Sequence, residues 1–229
     1  LEILHRAAPC RNVPVTSTLE LTMRTPRYTP DELLAKYREI RESVGPQEFF
    51  TAPKHKKTQE FWCAAHFGRH YAHGIGSCHI LIEDHDEQSD ADFQFEAAGG
   101  LHPFQITEVQ APGRRRGDEY KKEASTKATL EDCSDGTENG PRWIREAIEK
   151  KLTRYGGRVS HLNLLVYLNF PAYDQQYVDI RETCASVSSP FASVWLLNGN
   201  AAACIWSQTA LSGPEGWLFG PESLVVDEP

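Results

Sequence analysis

Methionine is almost missing from this chain: Met23 is the only one in 229 residues, and the first residue is Leu1. One expectation is that translation begins at Met23 and residues 1–22 are an upstream extension; the other is a natively trimmed or alternatively initiated chain. Paired cysteine motifs are absent too. Cys10, Cys63, Cys78, Cys133, Cys184 and Cys204 include no CxxC pair and no tight framework, which points to free, mostly buried thiols in a reducing cytoplasm. No window approaches the roughly 20 apolar residues of a spanning helix. The Leu1–Arg6 start lacks the apolar run and cleavage site of a signal peptide. P-loop, GxGxxG, GxSxG and HExxH motifs do not occur, which removes the main sequence support for an ATPase, a Rossmann dehydrogenase, a serine hydrolase or a common zinc protease. Basic charge is in deficit, with 24 Lys and Arg against 32 Asp and Glu and a net charge of −8. That balance argues against a protein that coats nucleic acid nonspecifically and leaves contact to local basic patches.

What is present is enough for a core. Hydrophobic residues make up 40% and aromatics 10% of the chain, which excludes wholesale disorder. The length suits one domain over residues 29–229, preceded by an extension over 1–28 in which Thr16–Thr22 is expected to add an edge strand. Thr29 before Pro30, with Asp31 and Glu32 next, predicts a helix over 29–40 ended by Gly45-Pro46. A second helix is expected over 57–71. Strands follow near 78–84, 90–97 and 103–110, with an exposed turn at Asp84–Glu87. Residues 111–140 read as a long loop with a short helix at 118–128, and Pro141 is taken to open a helix running to Tyr155. His161–Phe170 is apolar nearly throughout, as for a strand buried on both faces. A helix near 174–186 and a hairpin over 191–206 turning at Asn198-Gly199 complete the reading, with Trp195 and Trp206 as packing residues on its arms.

The second and third strands carry the chemistry. Alternation over Ser89–Glu96 puts Asp90, Asp92, Gln94 and Glu96 on one face and Phe93 and Phe95 in the core. A twist or bulge near Thr107 would bring Glu108 and Gln110 beside Asp92. Two carboxylates so placed repel unless a cation lies between them, and a divalent metal with oxygen ligands is the usual answer. Solvated acids on an open sheet face are the plainer alternative.

The order of helix, three strands, helix and strand, with Asp on the second strand and Glu-x-polar on the third, resembles the PD-(D/E)XK nuclease superfamily over roughly residues 57–206. That resemblance implies an α/β fold with a restriction-endonuclease-like central mixed β-sheet flanked by helices, here with an N-terminal helical extension. It implies Mg²⁺ or Mn²⁺ held by Asp92 and Glu108, with Glu60 as a further acid from the first helix, and Gln110 positioning the attacking water where the family usually has Lys. No Pro precedes Asp92, another departure from the pattern. Hydrolysis of phosphodiester bonds in DNA is the implied activity, with Arg114, Arg115 and Arg116 gripping the backbone. The missing Lys keeps a second expectation in play, an inactive nuclease fold serving as a binding or regulatory module. A third expectation is a zinc protein, because Cys63, His66, His70 and His73 share one helical face. Self-association is left open.

Overall fold

The computed structural model describes residues 25–82, 90–114 and 129–220. Within them an eight-stranded mixed sheet runs in chain order. The strands are β1 (Arg27–Tyr28), β2 (His79–Leu81), β3 (Phe93–Ala97), β4 (Gly100–Gln110), β5 (Asn163–Asn169), β6 (Ser193–Leu197), β7 (Ala201–Ser207) and β8 (Leu218–Phe219). β4, β5 and β6 are parallel neighbours, and the other pairings are antiparallel.

Alternating side chains bury both sides of the sheet. On β5, Leu165 and Tyr167 join one core, and Leu164, Val166 and Leu168 join the other. On β6, Trp195 and Leu197 part from Val194 and Leu196 in the same way, as expected of strands covered on both faces. Helices α1 (Pro30–Val44), α2 (Pro46–Thr51) and α3 (Lys56–Gly74) supply residues to the first core. Helices α4 (Leu130–Arg154) and α5 (Tyr177–Ser188) supply the second.

Local sequence explains the principal ends. Thr29 and Glu32 form a reciprocal capping box at the start of α1, with Pro30 in its first turn. The helices at 30–51 are part of the body rather than an appendage, because Leu33, Tyr37 and Phe49 are fully buried in the first core. Arg27–Tyr28 already pairs with β2, so the sheet begins ahead of residue 29. The β3–β4 hairpin turns on Ala98 and Gly99, both with positive φ (50° and 77°), the geometry of a two-residue hairpin turn.

One helix differs from expectation. α4 begins at Leu130, not Pro141, because Thr129 and Asp132 make a second capping box and Pro141 sits inside the helix. Proline there removes one main-chain hydrogen bond, and close packing offsets the loss. Gly140 lies against the Phe170 ring, and at Gly136 a Cβ would fall 1.8 Å from the Pro171 carbonyl oxygen. The residues expected to form an edge strand at 16–22, a turn at 84–87 and a helix at 118–128 lie outside the described residues.

This close crossing is testable. Gly136→Ala should destabilise the protein by about 2–3 kcal/mol or prevent folding. Gly76→Ala, where a Cβ meets nothing within 4 Å, should be close to neutral in the same thermal denaturation. Equal melting temperatures would contradict the packing described.

Candidate active site

β4 is longer than its partner β3, and the site follows from that mismatch. Pairing between them stops at Phe93↔Phe104, whereas β4 continues to Gln110 against β5. At the point where β3 gives out, Asp92 replaces the ladder. Its amide donates to the Phe104 carbonyl (2.7 Å), and its carboxylate accepts the Ile106 amide (2.6 Å). The edge of β4 beyond this cap forms a notch where groups from helices on opposite faces of the sheet meet.

A cavity of about 330 Å³ fills the notch. α3 contributes Lys56 and Glu60, Asp92 and Glu108 come from the β3 entry and β4, and the last turns of α4 bring Lys151 and Arg154. Glu60, Asp92 and Glu108 therefore line one space. β4 pairs with β5 residue for residue from Phe104 to Gln110 with no bulge, so the irregularity expected near Thr107 does not occur there, and Glu108 reaches the cavity from the face of β4 opposite that of Gln105 and Asp92. Glu108 shares the face of Phe104 and Ile106 by plain alternation. Its carboxylate accepts from the Asn169 amide at 2.5 Å.

Gln110 is not in this cavity. It lines an adjoining one of about 510 Å³, with Glu108, Lys151 and Arg154 in the lining of both. The notch's cations are Lys56, Lys151 and Arg154, of which Lys151 is tied into the hydrogen-bond network. Its ammonium donates to Gln105 Oε1 at 2.9 Å. The Gln105 amide in turn donates to the Asp90 carbonyl (2.6 Å) and to Asp92 Oδ1 (3.3 Å). Gln105 is buried and links the lysine to the aspartate. Sequence reasoning missed both residues. The hairpin turn at Ala98-Gly99 carried a usable signal for one of them: with Ala97 opposite Gly100 and Phe93 opposite Phe104, Asp92 must face Gln105. No local pattern singled out Lys151 among the basic residues of its helix.

Burial dominates the electrostatics of the site. Burial, and then the charge of Asp92, push the Glu60 carboxyl up to about 7 against the opposing pull of Lys56, Lys151 and Lys57. Burial lowers Lys151, with Asp92 and Glu60 pulling the other way.

The remaining expected residues are dispersed. Arg114 donates to the Asn169 carbonyl at 3.0 Å and lines neither cavity; Arg115 and Arg116 lie outside the described residues. On α3, Cys63 belongs to the first core, His66 packs on the Trp62 ring at 4.2 Å, and His70 Nε2 lies 3.1 Å from the Gly199 carbonyl oxygen. His73 is exposed. Among the described residues no three His, Cys, Asp or Glu side chains come together as a group able to hold a metal ion. The shared helical face at 63–73 is thus used for packing, which corrects the zinc reading. Cys63, Cys78, Cys133, Cys184 and Cys204 are free, and burial pushes Cys78 and Cys184 up to about 12, far from reactive thiolates. None of the helices among the described residues is long and apolar enough to cross a membrane.

Compared with family models, curated proteins and solved structures, the chain finds no match.

Glu60 gives the site a measurable pH signature. A carboxyl raised from 4.5 to about 7 holds its proton in the fold after the unfolded chain has lost it. Its contribution to stability is therefore fully present below about 4.5 and is lost as pH rises through 7. Glu60→Gln should flatten that part of the stability profile and raise stability at pH 8 by on the order of 1–2 kcal/mol. Denaturant unfolding at pH 5 and pH 8 is the check, and an unchanged difference between wild type and variant would contradict the assignment.

Proposed function

We propose that the protein is a metal-dependent phosphodiesterase of restriction-endonuclease-like type that cleaves DNA at the β4 notch. The observation that carries this reading is that Glu60, Asp92 and Glu108 line one cavity with Lys151; as placed, the three acids do not close into a metal-binding group, so Glu60 is not counted as a ligand. The element order supports it: α3, then β2, β3 and β4, then α4, then β5 parallel to β4.

The donor set suits a hard divalent cation. Carboxylate oxygens are the ligands Mg²⁺ and Mn²⁺ take, and Mg²⁺ commonly needs only one or two from the protein while keeping several waters. Asp92 and Glu108 would hold the ion, with Glu60 lining the same cavity from α3, and a positive charge there would oppose the burial and the Asp92 charge that push Glu60 up. Bound metal would supply a water of lowered pKa and a counter-charge for the phosphate as it reacts. The chain's own groups do the rest. Gln105 holds the Lys151 ammonium at a fixed place beside Asp92, where it would steady the attacking water or a phosphate oxygen, the role the resemblance had assigned to Gln110. Asn169 and the Ile106 amide fix the orientation of Glu108 and Asp92. Lys56 and Arg154 at the rim would attract the polyanionic backbone.

A second reading rests on one observation. The Asp92 carboxylate already accepts from Ile106 and Gln105, as it would in a nuclease fold that binds DNA without cleaving it. Mutation separates the two. Asp92→Asn and Glu108→Gln, which keep a side-chain acceptor for Ile106 and Asn169, should abolish Mn²⁺-dependent cleavage while the folded fraction stays intact. Lys151→Met should lower the rate at saturating DNA at least about a hundredfold, and Gln110→Ala should leave that saturated rate within a few-fold. Cleavage that survives in both acid variants would reject the enzyme reading, as would wild-type protein that binds DNA and never cuts it.

A further inference from the structure

The notch is one of two adjoining cavities, and the second has a different character. Glu108, Lys151 and Arg154 line both. Beyond them, the second cavity has Val109, Trp143 and Ala147 as apolar wall, Gln110 as a neutral amide, and Lys150 as a further cation. Its cations are Lys150, Lys151 and Arg154 against Glu108 and Glu146, whereas Glu60, Asp92 and Glu108 gather in the first.

We propose that the second cavity lodges one nucleotide of an unpaired DNA strand, the unit flanking a phosphate held between the two cavities by Lys151 and Arg154, so that single strands and unpaired tails are the preferred substrates. The proposal rests on the nuclease reading and adds the form of its substrate. Volume argues for one unit: about 510 Å³ falls in the range of pockets that enclose a single small ligand, roughly 300–1,000 Å³. A base-paired nucleotide enters such a space only by leaving its partner, at the expense of unpairing and unstacking. An unpaired strand meets no such barrier. The chemistry of the walls fits the three parts of a nucleotide. Lys150 and Arg154, both exposed, reach the flanking phosphates. Val109 and Ala147 accept the apolar faces of base and sugar. Gln110 offers a donor and an acceptor at once, as the edge of a base requires. Gln110 thereby gains a role in binding.

Binding and cleavage are measured separately on the full chain. Fluorescence anisotropy without metal compares one labelled DNA sequence as a single strand, as a blunt duplex, and as a duplex with an unpaired tail. The single strand and the tailed duplex should bind at least about tenfold more tightly than the blunt duplex. Ala147→Phe, which fills the cavity, and Lys150→Glu, which reverses a charge at its mouth, should each weaken single-strand binding by about tenfold. The two variants act differently, so a folding defect in Ala147→Phe leaves Lys150→Glu to decide. Equal affinity for the blunt duplex and the single strand overturns the proposal, as do folded variants that bind like wild type. Failure of the nuclease reading has its own signature: tight single-strand binding with no Mn²⁺-dependent cleavage of the bound strand. Cleavage of blunt duplex with no preference for unpaired DNA rejects the second cavity's role alone.

Discussion

The register of β4 between β3 and β5 is the constraint on which the rest depends. β4 faces β3 through Phe93↔Phe104 and β5 through Phe104↔Asn163 onward to Gln110↔Asn169. Phe104, wholly buried and stacked on Phe93 with ring centroids 5.0 Å apart, locks the hairpin to the first core, and Val109 faces the second. A slip of one residue would turn Phe104 to the wrong layer and carry Glu108 away from the notch. Core packing and site geometry are therefore fixed by the same pairing, and the end of β3 at Phe93 opens the edge where the site lies.

That opening has an electrostatic consequence. Acids from α3 and β4 and cations from α4 meet where neither face of the sheet separates them, in surroundings dry enough to raise Glu60 and lower Lys151. Desolvation opposes both charges; Lys56, Lys151 and Lys57 offset it in part at Glu60, and Asp92 and Glu60 in part at Lys151. Gln105 fixes the place of Lys151, because its amide donates toward Asp90 and Asp92 and its carbonyl accepts from Lys151. Replacing this one neutral side chain would loosen the lysine without altering the charge of the cavity.

Much of the fold was legible because its signals are local. The Thr29 cap with Pro30, the alternation of Phe93 and Phe95, the apolar run on β5 and the Asn198-Gly199 turn all lie where their sequence patterns placed them. Pro141 misled, since proline opens helices more readily than it sits within them, whereas the capping box of Thr129 and Asp132 starts α4 at Leu130. Asp92, Glu108 and Glu60 were legible as acids with the right order, and they share a cavity. Lys151 was not, because its link to Gln105 spans 46 residues and depends on how α4 crosses the sheet. The histidines of α3 show the converse: spacing put them on one helical face, but Trp62 and the Gly199 carbonyl engage two of them inside the core.

The central claim is that Asp92 and Glu108 jointly hold a divalent cation at the β4 edge. Anomalous diffraction from crystals grown with Mn²⁺ tests it most directly. The account predicts a single strong peak in the notch, about 2.0–2.6 Å from carboxylate oxygens of both residues. Well-ordered crystals with the notch free of Mn²⁺, or with the ion bound only elsewhere, would contradict it.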